Sequence, residues 1–393
     1  MTAPILAAAD PVTRSAARRL LDAGWTQPLD LPDDLMATDD HCARIRRVAV
    51  TNFPLVGIPA DLGGAGGDMV EVAAAQRQLA LVDAGMAIGL CMHAHSVGLV
   101  VEHHRRLSDT SWMLLEAIAM RHSLVGSAFA EPGGSANLMR ARTTARRSGK
   151  GYLLNGVKFP CSLSTTAELF CLNAATDDGE TIVALCPAGA QGLTTDGNAW
   201  PAIGMRSSDT GKVTLTDVHL DDRLIYHRAP SGTTDPIVIM GFVWFAVLMA
   251  ATYHGALTRL IDIAAQGAIA AGAHGDDPRS GLLGQATREL LALGGNAQWL
   301  GRVWTQDGYD QQSALGAAMA LRAQTSATRD RVVAALTPVI GSRLYTSGQL
   351  VSTLNLDSLA VHHHPPALLV CDDGVGSAVL GQPVSFDLAE RAS

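Results

Sequence analysis

The amino-acid sequence predicts an α+β fold in three consecutive parts: helices, then short strands, then helices. Three observations carry this expectation. Apolar residues recur at three- and four-residue spacing through residues 11–122, as in "MVEVAAAQRQLALVDAGMAIGL". From about residue 123 to 226, short strand-like stretches alternate with Gly, Asn, Asp and Pro: "TTARRSGKGYLLNGVKF", "ELFCLNAAT", "TIVALCPA", "GKVTLTDVHL". From about 236 onward, long Ala- and Leu-rich segments return at 236–272, 281–305 and 311–338. Strands and helices segregated in this way argue for α+β layers and against a βαβ repeat. No Gly-x-Gly-x-x-Gly follows a strand and opens a helix, which excludes a Rossmann site. The expected domains are 1–122, 123–228 and 229–393.

The first part is interrupted at "GIPADLGGAGGD" (57–68), where glycine and proline mark a loop and Asp68 can cap the next helix. In the second part, "RRSGKGYLL" reads as a hairpin with a glycine turn, and strands at this spacing suggest a small barrel or sandwich. The third part opens on "IVIMGFVWFAVLMAATY" (237–253), uncharged and near the lower length limit for a membrane span. It stands alone and runs straight into His254, Gly255 and Arg259, so it is expected to be a buried helix of a soluble bundle.

The chain has 393 residues, 48% hydrophobic but only 5% aromatic, so its interior must be built from closely packed Ala and Leu. A net charge of −8 without a dense Lys/Arg run argues against nucleic acid as a partner. The most basic places, Arg105-Arg106 and residues 140–150, read as surface charge. Six scattered cysteines without a Cys-x-x-Cys pair read as reduced thiols of a cytoplasmic protein. The start, "MTAPILAAAD", lacks the basic n-region of a signal peptide.

Four stretches resemble the acyl-CoA dehydrogenase family, in its order and spacing. They are "IPADLGGAGGDMVEVAAAQRQLALVDAG" (58–85), "GSAFAEPGGSANL" (126–138), "GYLLNGVKFPCSLSTTAELF" (151–170) and "WPAIGMRSSDTGKVTLTDVHL" (200–220). The resemblance implies an N-terminal helical domain, a middle β-barrel and a C-terminal four-helix bundle, with FAD held between barrel and bundle in a homo- or hetero-oligomer. It implies oxidation of an acyl thioester at its α,β carbons, with a separate electron acceptor. By the same resemblance, Phe129, Ala130 and Glu131 run along the flavin's pyrimidine edge. Ser135 matches the family serine of that loop, and Ser162 replaces the threonine whose hydroxyl reaches N5. Pro160 stands where a tryptophan often shields the flavin, and Ala130 where a threonine is usual. Arg206 is either a structural residue of the barrel or a flavin or substrate contact; Trp200 reads as packing.

The likeness fades in the bundle. The family's Arg-x-x-Phe-Gly has no counterpart in "AAQGAIAAGAHGDDPRSG" (264–281), although Arg279 is an arginine nearby. "GSRLYTSGQLVSTLNLDSLAVHHHPP" (341–366) keeps Gly341, Tyr345 and Asp357, but the family's catalytic glutamate falls at about Pro365. Loss of a positioned base costs on the order of 10²–10⁴-fold in rate. Glu289 and Asp262 are the substitutes that bundle helices offer, though both read better as surface positions.

The place of the lost base is taken by His362-His363-His364. Flavin monooxygenases of the same fold carry a histidine near here, and His364 is the best match. Its imidazole would then act on a substrate hydroxyl or amine, with reduced flavin delivered by a reductase. The structural alternative is a histidine-rich helix end stopped by Pro365-Pro366. Consecutive helical residues point about 100° apart, so the three cannot chelate one metal ion. His93 and His95, two apart, cannot share a helix face; with His103 and His104 they read as core or surface residues. A third reading is a base-lacking subunit of a hetero-oligomeric dehydrogenase.

Overall fold

The fold is described from a computed structural model covering residues 15–107, 109–134, 136–274, 276–304 and 310–386. Five helices come first: α1 (Ala16–Asp22), α2 (His41–Ala49), α3 (Met69–Ala80), α4 (Ala84–Leu107) and α5 (Trp112–Arg121). Asp68 starts α3 through a capping box. Its carboxylate accepts from Glu71 N at 2.9 Å, and the Glu71 carboxylate accepts from Asp68 N at 3.0 Å.

Eight strands follow: β1 (Val125–Ala128), β2 (Thr144–Arg147), β3 (Gly151–Cys161), β4 (Leu169–Thr176), β5 (Glu180–Pro187), β6 (Leu193–Asp196), β7 (Gly211–Asp221) and β8 (Ile225–Pro230). They form one sheet in the order β6-β7-β3-β2-β4-β5-β8, with β1 beside β4. Among the described residues β6 and β8 remain edges, so the expected barrel is an open one. The β2–β3 hairpin turns through Gly149, whose φ of 58° suits glycine.

The last part holds α6 (Pro236–Ala270), α7 (Pro278–Trp304), α8 (Gln311–Ile340), α9 (Leu350–Leu359) and α10 (Leu368–Val379). Asp235 caps α6 and Pro236 occupies its first turn, where a missing N–H costs nothing. Helices α4 and α6 are long and apolar enough to cross a membrane, yet 94% and 89% of their most apolar windows are buried inside the chain. They form its core, as expected for 237–253. All six cysteines are unpaired, and all but the half-buried Cys42 are buried.

One loop locks the sheet to both helical layers. It runs from Gly204 through the 3-10 turn Arg206–Ser208 to Thr210. A methyl at Gly89 of α4 would come within 2.6 Å of Ser208 O, and one at Gly204 within 2.6 Å of Leu356 O in α9. Only glycine allows both approaches. Asp357 of α9 accepts from Met205 N at 2.6 Å, so this loop is wedged between α4 and α9.

Candidate active site

The site grows from the end of β1. Beyond Ala128 the chain continues as Phe129-Ala130-Glu131, and Ala130 O accepts from Phe159 N at 2.8 Å, which joins it to the end of β3. Phe129, Ala130, Pro160 and Ser162 are all half-buried. They present a partly open face beside the bundle. Ser135 lies outside the described residues.

Glu131 belongs to the frame of this face. Its carboxylate accepts from Lys158 Nζ at 2.7 Å, Thr143 Oγ1 at 2.6 Å, Thr143 N at 2.8 Å and Arg142 N at 2.5 Å. Burial pushes its pKa up, but the Lys158 ammonium and these donors outweigh it and hold it below the usual range. Lys158 is buried too, which pulls its pKa down to about 8. Its remaining protons go to Asn173 O and Oδ1, both at 2.7 Å. The Glu131 carboxylate is therefore engaged from below; only its backbone is left for a ligand.

Ser162 ends a directed hydroxyl chain. Ser208 Oγ donates to Met205 O, so it can only accept from Thr210 Oγ1 at 2.7 Å. Thr210 in turn accepts from Ser162 Oγ at 2.8 Å. Ser162 thus spends its proton inward and offers lone pairs outward, where the sequence suggested a donor. Asp209 fastens the adjoining loop by accepting from the backbone and hydroxyls of Thr165 and Thr166. Arg206 is exposed and makes no hydrogen bond or ion pair within the described chain. Trp200 packs on Phe159, ring centroids 5.7 Å apart.

Facing β1 is a ladder of rings. Phe129 meets His95 of α4 edge to face at 6.2 Å, His95 meets Phe245 of α6 at 5.9 Å, and Phe245 meets His364 at 6.2 Å. His364 ends on Tyr253 of α6, whose hydroxyl lies 2.7 Å from Nε2. The three histidines have separate fates: His362 pairs with Asp330 at the surface, His363 is exposed and His364 turns inward. The helix-end reading fits the first two only.

The protonation of the ladder follows from burial. The His364 pKa falls to about 3, through burial first, then the Arg322 charge and His363. Burial lifts the Tyr253 phenol well above its usual value, so it stays protonated and donates to Nε2. The imidazole proton then sits on Nδ1, which makes no hydrogen bond in the described chain. His95 is pushed down to about 4 by burial, and its Nδ1 is buried without a partner. A buried ring nitrogen left without a partner needs one, which a water or a bound ligand can supply. His93 faces the other side of α4, where it accepts from Val125 N at 3.0 Å.

His95, Phe245, Tyr253, Arg322 and Thr210 escaped the sequence reading. A histidine inside an apolar helix looks the same in one dimension whether it packs or binds. Of the proposed substitute bases, Glu289 pairs with Arg331 and Arg288 on the bundle surface, and Asp262, which the sequence placed at the surface, is buried and pairs with Arg259. Arg279 is tied to Asp277.

Residues 126–218 match the family model "Acyl-CoA dehydrogenase, middle domain". Isobutylamine N-hydroxylase of Streptomyces viridifaciens is 26% identical over 215 residues, 52% of this chain and 57% of that protein. A dibenzothiophene monooxygenase of Rhodococcus erythropolis is 29% identical over 167 residues, 41% of this chain and 38% of that protein. The matches thus span about half, or less, of these relatives' length. The solved structure of KijD3 in complex with FMN and a dTDP-amino-keto sugar superposes with a TM-score of 0.74 at 23% identity, covering 97% of each chain. Residues 126–218 form an acyl-CoA dehydrogenase middle domain, and the chain around them carries the acyl-CoA dehydrogenase-like fold.

Proposed function

We propose that this chain is a flavin-dependent monooxygenase that takes reduced flavin and dioxygen and oxygenates a small organic substrate. The observation that carries this reading is the ring ladder ending in His364. The wall that would need a carboxylate for dehydrogenation holds a neutral imidazole fixed by Tyr253. Acyl-thioester oxidation, the first expectation from the sequence, is left without a base, because Glu289 and Asp262 are both engaged elsewhere. The names of the relatives, an amine N-hydroxylase and a thiophene monooxygenase, favour oxygenation too.

The residues fit a flavin. The backbone of Phe129 to Glu131 and the lone pairs of Ser162 would hold its polar edge, and the orphaned His95 nitrogen would find a partner there. Bound reduced flavin supplies two electrons to dioxygen, one oxygen atom going to the substrate and the other to water. His364 presents its Nδ1–H to the reacting group as a fixed hydrogen-bond donor, its Nε2 being held by the Tyr253 hydroxyl. Phe129 and Phe245 exclude water. KijD3 binds FMN, so FMN stands beside FAD as the cofactor. A flavin reductase is the expected partner, in the cytoplasm, and the chain is expected to work as a homo- or hetero-oligomer.

The test is oxygen uptake and product formation by the purified chain with a reductase, NADH and FMN or FAD, using a thioether and a primary amine as probes. Product with an added oxygen atom supports the reading. Anaerobic bleaching of bound flavin by an acyl thioester would instead restore the dehydrogenase. A chain that binds no flavin in either redox state would favour the subunit reading.

A further inference from the structure

Arg322 of α8 is 1% exposed, and no carboxylate of the described chain lies within ion-pair distance of it. Its Nη1 donates to Ser326 Oγ at 2.7 Å, its Nη2 to His364 O at 2.6 Å, and its Nε has no acceptor. Buried guanidinium groups ordinarily rest on a carboxylate. This one is spent on the backbone of the residue proposed to face the reacting group. We propose that Arg322 is a positioning residue for His364: its unneutralised charge and its bond to the His364 carbonyl keep that imidazole uncharged and fixed in the site.

The groups around His364 agree. Tyr253 from α6 is a protonated phenol, and Cys371 from α10 is a thiol pushed up to about 11, chiefly by burial. His363 adjoins it on its own turn, and Asp357 and Arg329 stand behind Tyr253. Among the described residues, no anion next to the imidazole offsets the guanidinium. A cation held there penalises imidazolium and leaves the neutral ring untouched.

The inference rests on the monooxygenase reading for its meaning, but its test needs neither flavin nor turnover. The whole chain, labelled at histidine, is titrated by NMR, with His364→Ala assigning the resonance. In the native chain the His364 ring should stay neutral over the whole pH range in which the chain remains folded. In Arg322→Met its midpoint should rise by roughly one unit or more, while Arg322→Lys, which keeps the charge, should hold it low. Arg322→Gln serves the same comparison if the methionine variant does not fold. An unchanged midpoint in a folded, uncharged variant overturns the proposal and leaves the monooxygenase reading standing. Failure of the native chain to oxygenate either probe does the reverse.

Discussion

Lys158 Nζ lies 2.7 Å from Glu131 Oε1, and the two side chains are 0% and 2% exposed. This ion pair joins two motifs of the resemblance, the "NGVK" hairpin and the "EPGG" loop. Removing one member leaves the other charged and dry. Lys158→Met should therefore cost about 3–5 kcal/mol of stability, measured by urea denaturation. The double variant Lys158→Met/Glu131→Gln should recover most of that loss, since an uncharged pair carries no desolvation penalty. Equal losses in the single and double variants would show that the pair does not act as a unit.

The hydroxyl chain makes a prediction about redox state. Ser162 Oγ faces outward as an acceptor. An acceptor at N5 favours the flavin form that bears an N–H there, the reduced one. Ser162→Ala should weaken reduced flavin about three- to tenfold, the worth of one ordinary hydrogen bond, with a smaller effect on oxidised flavin. Thr210→Val removes the inward acceptor and frees the Ser162 proton, so it should shift the preference toward oxidised flavin. Fluorescence titration of each form, anaerobically for the reduced one, reads both. Equal losses for the two forms in Ser162→Ala would refute the assignment.

The sequence showed more of the fold than of the site, for a physical reason. Periodicity, turns and caps are local, so the helix–strand–helix order, the Asp68 cap and the buried α6 were all legible. Glu131 was read as part of the flavin edge because its motif says so. That its carboxylate faces Lys158 became visible only when β3 was laid beside the loop. The ring ladder draws on α4, α6, the end of β1 and the turn after α9, so no window of sequence contains it. His95 was set aside because burial and function leave the same local signature. His364 was proposed by counting from Asp357, a length argument that does not depend on local sequence identity.

Substitutions along the ladder should separate chemistry from packing. His364→Ala should lower oxygenation by roughly 10²–10³-fold, the usual worth of one preorganised donor at the reacting group. Tyr253→Phe removes only the donor that fixes the tautomer, so its loss should stay within about tenfold. His95→Ala should weaken flavin binding along with turnover. Steady-state rates and flavin dissociation constants measured together distinguish these cases. A Tyr253→Phe variant as damaged as His364→Ala would mean that the phenol itself takes part in the reaction.

Stability against acid pits two buried groups of opposite sign against each other. His93 and His95 are held near 4, His364 near 3 and His254 well below its usual value, burial being the leading cause each time. A histidine whose folded pKa lies below its unfolded value binds more protons when unfolded. Its stability is present above about pH 6.5 and is lost as pH falls, by on the order of 2 kcal/mol each at pH 5 for His93, His95 and His364, with His254 acting in the same direction. Asp357 works the other way. Burial raises it to about 6, with Asp83 adding and Met205 N–H opposing, so the folded state gains as pH falls from 6 toward 4. One carboxyl recovers about 3 kcal/mol at most, while four histidines lose more, against a total stability of about 5–15 kcal/mol. The histidines win, and the chain, folded in buffer throughout, should become steadily less stable to urea as pH falls from 6.5 to 5. Asp357→Asn keeps an oxygen for Met205 N, so it should be as stable as the native chain or more so at pH 7, yet fall more steeply below pH 6. A stability that stays flat from pH 7 to 5 would mean that these imidazoles take up protons in the folded chain as they do in the unfolded one.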